Sequence, residues 1–555
     1  MTRRPPVFQD RPLLSAPHAL GLVLGGLGYF AALTPSLIPR TGLLQGAVAG
    51  LAFASLYGIG AGLGFLWRWL GFPSVAGKRL ERAALALSAL FAAALAIFGL
   101  ANATHWQNAI HRVMHMAPVE SARPFTIAAV SLAVAGLLLL LGRLFRRLAV
   151  VSAARLGWVL PPRVAYLSGL VLAALVFWSI GSGVFLNGAL RFLDGMYRRV
   201  DALIPPDLAA PADPLKTGSA TSLISWDTLG AEGRNRVLAA PSRDDIAAVS
   251  GRPAMEPIRV YVGANSADTP EERASLALAE LQRTGAFERA VLVIATPTGT
   301  GWVDPSGMAP VEFLQQGDIA SVSVQYSYLP SWLSLLVQPE YGHETAIAVF
   351  RAVYDHWRKL PAATRPRLYL FGLSLGSLNS DLSADFFDIV ADPYQGALWV
   401  GPPFASRTWR QITRDRVPGT PAWLPRFRDS SLFRFTSQTN SLDIPGASWG
   451  PIRMVYLQYA SDPITFFEES SLYRSPDWLK APRGPDVSPD LRWAPVVTFL
   501  QLICDMMTAT TTPRGMGHVY AAAHYLDGWI AVTEPQGWSA ADLDRLRAWF
   551  KAHDL

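Results

Sequence analysis

Cysteine is almost missing from this sequence: Cys504 is the only one in 555 residues, so no internal disulfide can staple the fold. It lies in an apolar, helix-like run that begins at Pro495, which predicts a packing role rather than a nucleophile. Charge is also scarce, at 16% of residues against 51% hydrophobic, a balance that excludes an ordinary soluble chain and leaves room for two domains. Metal-ligand spacings are lacking. There is no H-E-x-x-H and no C-x-x-C, and His343-Glu344 has no second ligand at helical spacing. The G-x-G-x-x-G spacing and the phosphate-loop lysine are missing too, which excludes a nucleotide loop. We therefore expect neither a metal nor a cofactor.

What is abundant is apolar length. Five uncharged stretches precede residue 200: His18 to Ile38, Leu43 to Trp67, Ala83 to Thr104, Phe125 to Gly142 and Val164 to Leu190. Each reaches at least about 18 residues, the length needed to cross a bilayer as a helix. Together they predict an all-α transmembrane bundle over 1–200. The first ends in Thr34-Pro-Ser-Leu-Ile-Pro-Arg40 without a small-x-small cleavage site, so we expect it to be retained rather than removed as a signal peptide. Arg3, Arg4, Arg11, Arg68, Lys78, Arg79, Arg82, Arg143, Arg146, Arg147, Arg155 and Arg163 fall in one set of alternate loops, and far fewer basic residues fall in the other. That asymmetry predicts a cytoplasmic N-terminus in the inner (cytoplasmic) membrane and, after five crossings, an extracytoplasmic remainder. It also accounts for much of the net charge of +6, so no nucleic-acid partner is expected, and membrane lipids are.

Residues 201–257 read as a connector rich in Pro, Ala, Ser and Asp, with a small element at Ser225-Trp-Asp-Thr-Leu-Gly230. From 258 to 555 the texture changes. Ile258 to Gly263, Ala290 to Ala295, Ser321 to Tyr326, Leu368 to Phe371, Ala397 to Val400 and Ile452 to Tyr459 read as strands. Glu271 to Arg283, Glu344 to Lys359 and Ser539 to Lys551 read as helices between or after them, the last opened by a serine cap with Asp542 three residues on. Alternation of this kind predicts an α/β domain with a mainly parallel sheet, whose chemistry sits at the carboxyl ends of its strands.

Gly372-Leu-Ser374-Leu-Gly376 occupies such an end. G-x-S-x-G is weak alone, but here an apolar strand precedes it and a helix, read as capped by Ser377 and running through Leu382, Phe386 and Ile389, follows it. That context predicts a nucleophile elbow. An acid and then a histidine should come later in the chain. Asp462 falls just past the strand that ends at Tyr459, with Pro463 stopping the strand. Of the downstream histidines, His518 lies in the glycine-rich Pro513-Arg-Gly-Met-Gly-His518-Val-Tyr520, His524 in a helix-like run and His553 almost at the end of the sequence. The loop position favours His518 as base, with His524 as its rival. A tetrahedral intermediate needs two backbone donors. Leu375, after the serine, supplies one, and Thr300 with its flanking Gly299 and Gly301, in the loop after Ala295, is expected to supply the other.

Thr34-Pro-Ser-Leu-Ile-Pro-Arg40, Ser225-Trp-Asp-Thr-Leu-Gly230, Thr296-Pro-Thr-Gly-Thr-Gly-Trp302, Phe371-Gly-Leu-Ser374-Leu-Gly-Ser377 and Gly517-His-Val-Tyr520 together resemble a bacterial family of membrane-anchored α/β-hydrolases. The likeness covers nearly the whole chain. It implies a serine hydrolase carried in a membrane, with no settled substrate. The expected reaction is cleavage of an ester or thioester of a lipid or envelope component by an esterase- or lipase-like Ser374-His518-Asp462 triad. An acyltransferase using the same acyl-enzyme, and a non-catalytic scaffold with a vestigial hydrolase domain, are the rival readings. Two aromatic- and proline-rich insertions, near 401–451 and 473–495, read as cap-like. Their Trp409, Trp423 and Trp478 line a pocket, rest at a membrane surface or simply pack.

Overall fold

A computed structural model of the chain describes residues 18–72, 77–205, 208–329, 333–334 and 339–555. It divides into two compact units, one drawn from Met1–Phe192, Glu468–Leu479 and Val487–Asp505, the other from Leu193–Phe467, Lys480–Asp486 and Met506–Leu555. The boundary differs from the contiguous one expected at 200 and 258. Two late segments join the helical unit, and the stretch read as a connector belongs to the sheet unit.

In the helical unit, α1 (Ala19–Leu33), α2 (Gly42–Trp69), α3 (Lys78–Val113), α4 (Pro124–Leu156) and α5 (Pro162–Trp178) correspond to the five apolar stretches. Among the described residues, four helices are long and apolar enough to cross a membrane: Gly42–Trp69, Lys78–Val113, Pro124–Leu156 and Pro162–Gly183. α1 is shorter, because Pro35 and Pro39 cannot continue a helix, and its 15 residues span about 22 Å. The expected first span, His18 to Ile38, thus contains a non-helical link. Glycines bring the helices into backbone contact. A Cβ on Gly50 of α2 would lie 2.6 Å from the Ser131 carbonyl of α4, and one on Gly169 of α5 would lie 2.4 Å from the Ala149 carbonyl of α4. Such close approach is how apolar helices associate where burial of oily surface supplies little drive.

The Thr34-to-Arg40 link closes over a buried charge. Arg40 Nε lies 2.8 Å from Asp505 Oδ1, with the two side chains 1% and 0% exposed. The Ser36 hydroxyl and the Leu37 amide donate to the other carboxylate oxygen. Gln45 and Gln501 donate to the Ala32 carbonyl at 2.6 and 3.2 Å, satisfying the frayed end of α1. Val497 and Cys504, on the helix Val497–Met507, pack with Tyr29, Leu33 and Val48. Cys504 is therefore a core residue, as its apolar surroundings suggested. These contacts explain why Val487–Asp505 belongs with helices more than 400 residues earlier.

Among its described residues the other unit is built on seven parallel strands: β1 (Ile258–Val262), β2 (Val291–Thr296), β3 (Ile319–Val324), β4 (Arg367–Leu373), β5 (Gly396–Val400), β6 (Phe433–Thr436) and β7 (Arg453–Leu457), in the order β1-β3-β2-β4-β5-β7-β6. Nearly every strand residue is buried, as expected of a parallel sheet covered on both faces. β3 begins two residues earlier than its sequence pattern suggested. β6 was hidden in the first insertion and forms the sheet edge beside β7, so that segment contributes to the sheet. Helices Pro270–Arg283 and Ala540–Ala552 open on capping boxes made by Thr269 with Glu272 and by Ser539 with Asp542. Arg236, on the helix Gly230–Leu238, and Arg259 of β1 both donate to Glu312 at 2.8 and 2.7 Å, which ties the former connector into the core.

Candidate active site

β4 ends at Leu373 in the middle of the sheet, flanked by β2 and β5. The chain then reverses at Ser374 with φ 56° and ψ −125°. A non-glycine residue held there is strained, and such strain persists only where the surroundings fix it. They do so closely. A Cβ on Gly372 would sit 2.3 Å from the Gly376 carbonyl carbon, and one on Gly376 would sit 2.3 Å from the Thr296 carbonyl oxygen. Only glycine tolerates both approaches. Ser374 is also the N-cap of the helix Leu375–Ser383, yet its side chain makes no capping hydrogen bond. Serine at that position normally caps, and this hydroxyl does not. The helix starts at Leu375, not at the expected Ser377 cap, and stops at Ser383. Phe386–Ile389 is a separate short helix.

After β7 the chain runs through Tyr459 and Ser461 to Asp462, which caps the short helix Pro463–Phe466 by accepting the Ile464 amide on Oδ1 at 2.9 Å. Its Oδ2 accepts from three groups: His518 Nδ1 at 2.7 Å, the Tyr520 hydroxyl at 2.8 Å and the Thr465 hydroxyl at 3.1 Å. Asp462 is wholly buried. An imidazole that donates from Nδ1 to a carboxylate carries its lone pair on Nε2, the tautomer a general base requires.

His518 rides on a tight loop shaped by Gly515 and Gly517 at φ 86° and 56°. Its amide donates to the Ala509 carbonyl at 3.1 Å, while the Gly517 amide donates to Ser461 Oγ at 2.9 Å. Ser461 in turn donates to the buried Asp486 at 2.6 Å. The ring lies against Gly401, just after β5, where a Cβ would come within 2.7 Å of its Cε1. His524, the rival base, points elsewhere. It stands on the helix Ala522–Thr533, its Nδ1 is 2.5 Å from the Tyr459 hydroxyl, and burial pushes its pKa down to about 4.

Ser374 and His518 line one cavity of about 760 Å³ together with Thr300. In the turn after β2, the Thr298 amide donates to the Trp302 carbonyl and the Gly301 amide to the Thr298 carbonyl, at 2.9 and 3.0 Å. Gly301 sits at φ 91°, and its carbonyl takes the Tyr261 hydroxyl at 2.8 Å. Of the three residues expected to supply the second donor, Gly301 thus spends its amide inside the turn, and neither it nor Gly299 lines the cavity. The Thr300 carbonyl is held by Gln325 at 3.0 Å, which fixes the orientation of that peptide. Apolar walls come from Leu373, Ile464, Met506, Met507 and Val519, and a polar corner from Asp304 and Arg514. Asp304 accepts from the Ser306 amide and the Tyr525 hydroxyl at 2.9 and 2.7 Å, and burial raises its pKa.

Trp409 and Trp423 do not line this cavity. Their indole N–H groups donate to the Gln458 side chain and the Pro482 carbonyl at 2.6 and 3.0 Å. Among the described residues no cluster of three or more His, Cys, Asp or Glu is arranged to hold a metal. Sequence reasoning did not pick out Tyr520, Thr465, Ser461, Asp304 or Arg514. Only Tyr520 carried a signal, its place two residues after His518.

In comparisons with known proteins, the pattern described as "Alpha/beta-hydrolase family" matches residues 258–546, and one described as "Alpha/beta-hydrolase family N-terminus" matches residues 33–241. No curated protein and no solved structure matched the chain. The first match covers more than half of the sequence and takes in the sheet, the strained serine and the Asp462-His518 pair. This chain belongs to the alpha/beta-hydrolase family.

Proposed function

We propose that the protein is a membrane-anchored serine hydrolase that cleaves an ester or thioester with an apolar acyl chain, drawn from a lipid or envelope component. The observation that carries this reading is the strained, uncapped Ser374 opening into the same cavity as the Asp462-paired His518. Ser374 Oγ attacks the acyl carbon as His518 Nε2 takes its proton. Asp462 stabilises the imidazolium so formed, and the amides of Leu375 and Thr300 receive the oxyanion. Collapse of the tetrahedral intermediate expels the alcohol or thiol, which takes the proton back from His518. Water then attacks the acyl-enzyme with His518 again as base, releasing the acid and free Ser374. Leu373, Ile464, Met506, Met507 and Val519 give an acyl chain an apolar wall.

The four long apolar helices among the described residues support membrane insertion. We place the catalytic unit on the extracytoplasmic side. The Lys and Arg asymmetry of the α2–α3 and α4–α5 loops favours it, and a cytoplasmic N-terminus needs α1 to cross as well.

The test is hydrolysis of a series of p-nitrophenyl esters and acyl thioesters of increasing chain length by the full-length protein in detergent, with and without added alcohol. Acid release that rises with chain length and vanishes in Ser374→Ala supports the reading. An ester of the added alcohol formed in place of acid would mean transfer instead, and activity that survives Ser374→Ala would overturn the assignment.

A further inference from the structure

We propose that Tyr520 is a positioning residue for the catalytic pair: its hydroxyl holds Asp462 Oδ2, the oxygen that His518 uses, and so sets both the orientation and the basicity of the base. The inference rests on the triad reading above.

The geometry is specific. Tyr520 Oη and His518 Nδ1 reach the same carboxylate oxygen, at 2.8 and 2.7 Å, while the other oxygen is occupied by the Ile464 amide. Tyr520 is fixed from behind by stacking on Tyr459, with ring centroids 4.3 Å apart, and Tyr459 Oη accepts the Ala521 amide at 3.2 Å. A tyrosine buried this way has one direction in which to donate. Burial, reinforced by the charge of Asp462, drives its pKa well above the ordinary value, so the phenol stays protonated and remains a donor throughout the working range.

The consequence is electrostatic. A donor on Oδ2 draws negative charge away from the oxygen that faces the imidazolium, so the carboxylate stabilises His518 in its protonated form less than it otherwise would. Other titratable groups around the pair are Tyr459, which follows β7, Asp486 behind Ser461, Asp304, Glu232 and Arg514 on the cavity wall, and His524 and Tyr525 on the helix Ala522–Thr533. None of them donates to Asp462, whose side-chain partners are His518, Tyr520 and Thr465, with the Ile464 amide.

The test is the pH profile of kcat/KM for a p-nitrophenyl ester with full-length Tyr520→Phe beside the wild type. Thr465→Val removes the weaker donor on the same oxygen, at 3.1 Å, and serves as a second variant. Tyr520→Phe should lower kcat about tenfold with KM nearly unchanged, and should move the acid limb upward by about half a pH unit. Thr465→Val should move it the same way by less. An acid limb that stays in place in both variants, or a loss confined to KM, would overturn the proposal and leave Tyr520 a wall of the cavity. Should Tyr520→Phe fail to fold, judged by its melting temperature, the Thr465→Val limb decides alone. Ser374→Ala assayed alongside keeps the two ideas apart, since its inactivity upholds the triad whatever the tyrosine does.

Discussion

The two units use the same apolar residues in opposite ways. In the sheet unit, strand residues such as Val260, Leu292, Leu370 and Val455 are almost wholly buried, and charged helix faces meet the solvent. In the helical unit, Leu90, Ile97 and Phe125 stand 68%, 70% and 90% exposed, while the most deeply buried groups include the ion pair of Arg40 and Asp505. A face of that kind is unstable in water and ordinary in hydrocarbon. The difference fits the membrane insertion proposed for the helical unit. Both also bury an acid-arginine cluster, Asp505 with Arg40 in one and Glu312 with Arg236 and Arg259 in the other.

Substitutions test this contrast. The largest effect belongs to the chemistry, which the account confines to the sheet unit. Ser374→Ala should lower kcat/KM at least about 1,000-fold with the melting temperature little changed, measured by ester hydrolysis and differential scanning fluorimetry. Next is the buried pair. Asp505→Ala strands the Arg40 guanidinium and should destabilise the helical unit by about 3–5 kcal/mol, read as loss of the folded species in detergent. The double variant Arg40→Met with Asp505→Leu should recover much of that, because an apolar pair of similar size leaves no charge unpaired. Third comes the solvent itself. Leu90→Lys on α3 should cost about 2.5–3.5 kcal/mol of membrane insertion, whereas Leu238→Lys, at an exposed position of the sheet unit, should change stability by less than about 0.5 kcal/mol. Membrane fractionation separates the two. The smallest effect is a pH dependence. His524 titrates near 4 in the folded protein against an ordinary 6.5, so between those values the unfolded chain binds more protons and stability falls as the pH falls. A loss of about 2–3 kcal/mol across that window should be flattened in His524→Gln, checked by thermal unfolding from pH 7 to 4.

Much of the sheet unit was legible because its signals are local. Strand, turn and helix around Ser374 lie within about twenty positions, and Asp462 and His518 each sit at an identifiable break after regular structure. Pro463 after the acid and the glycines before the histidine mark those breaks in the sequence. β6 was not legible: Phe433-Arg-Phe-Thr436 is four residues long and surrounded by proline and aromatics, and only pairing with β7 makes it a strand. The misplaced helix cap has a similar cause. Ser377 looked like an N-cap by residue type, but the strained turn at Ser374 already begins the helix. The apolar length of the first span was overestimated because hydropathy does not register the two prolines that end α1. The late segment in the helical unit was invisible for a different reason. Nothing near Asp505 announces that its partner is Arg40, 465 positions away. In the site, the role proposed for Tyr520 depends on which oxygen of Asp462 it touches, a detail that no spacing encodes.

The central claim is that the Ser374 hydroxyl is activated by His518. It is tested most directly by treating the full-length protein in membranes with a fluorophosphonate and mapping the adduct by peptide mass spectrometry. One modified residue is expected, Ser374, labelled quickly in the wild type and at least about 100-fold more slowly in His518→Ala. An unmodified Ser374 beside a serine hydrolase that labels in the same membranes, or equal labelling rates with and without the histidine, would contradict it.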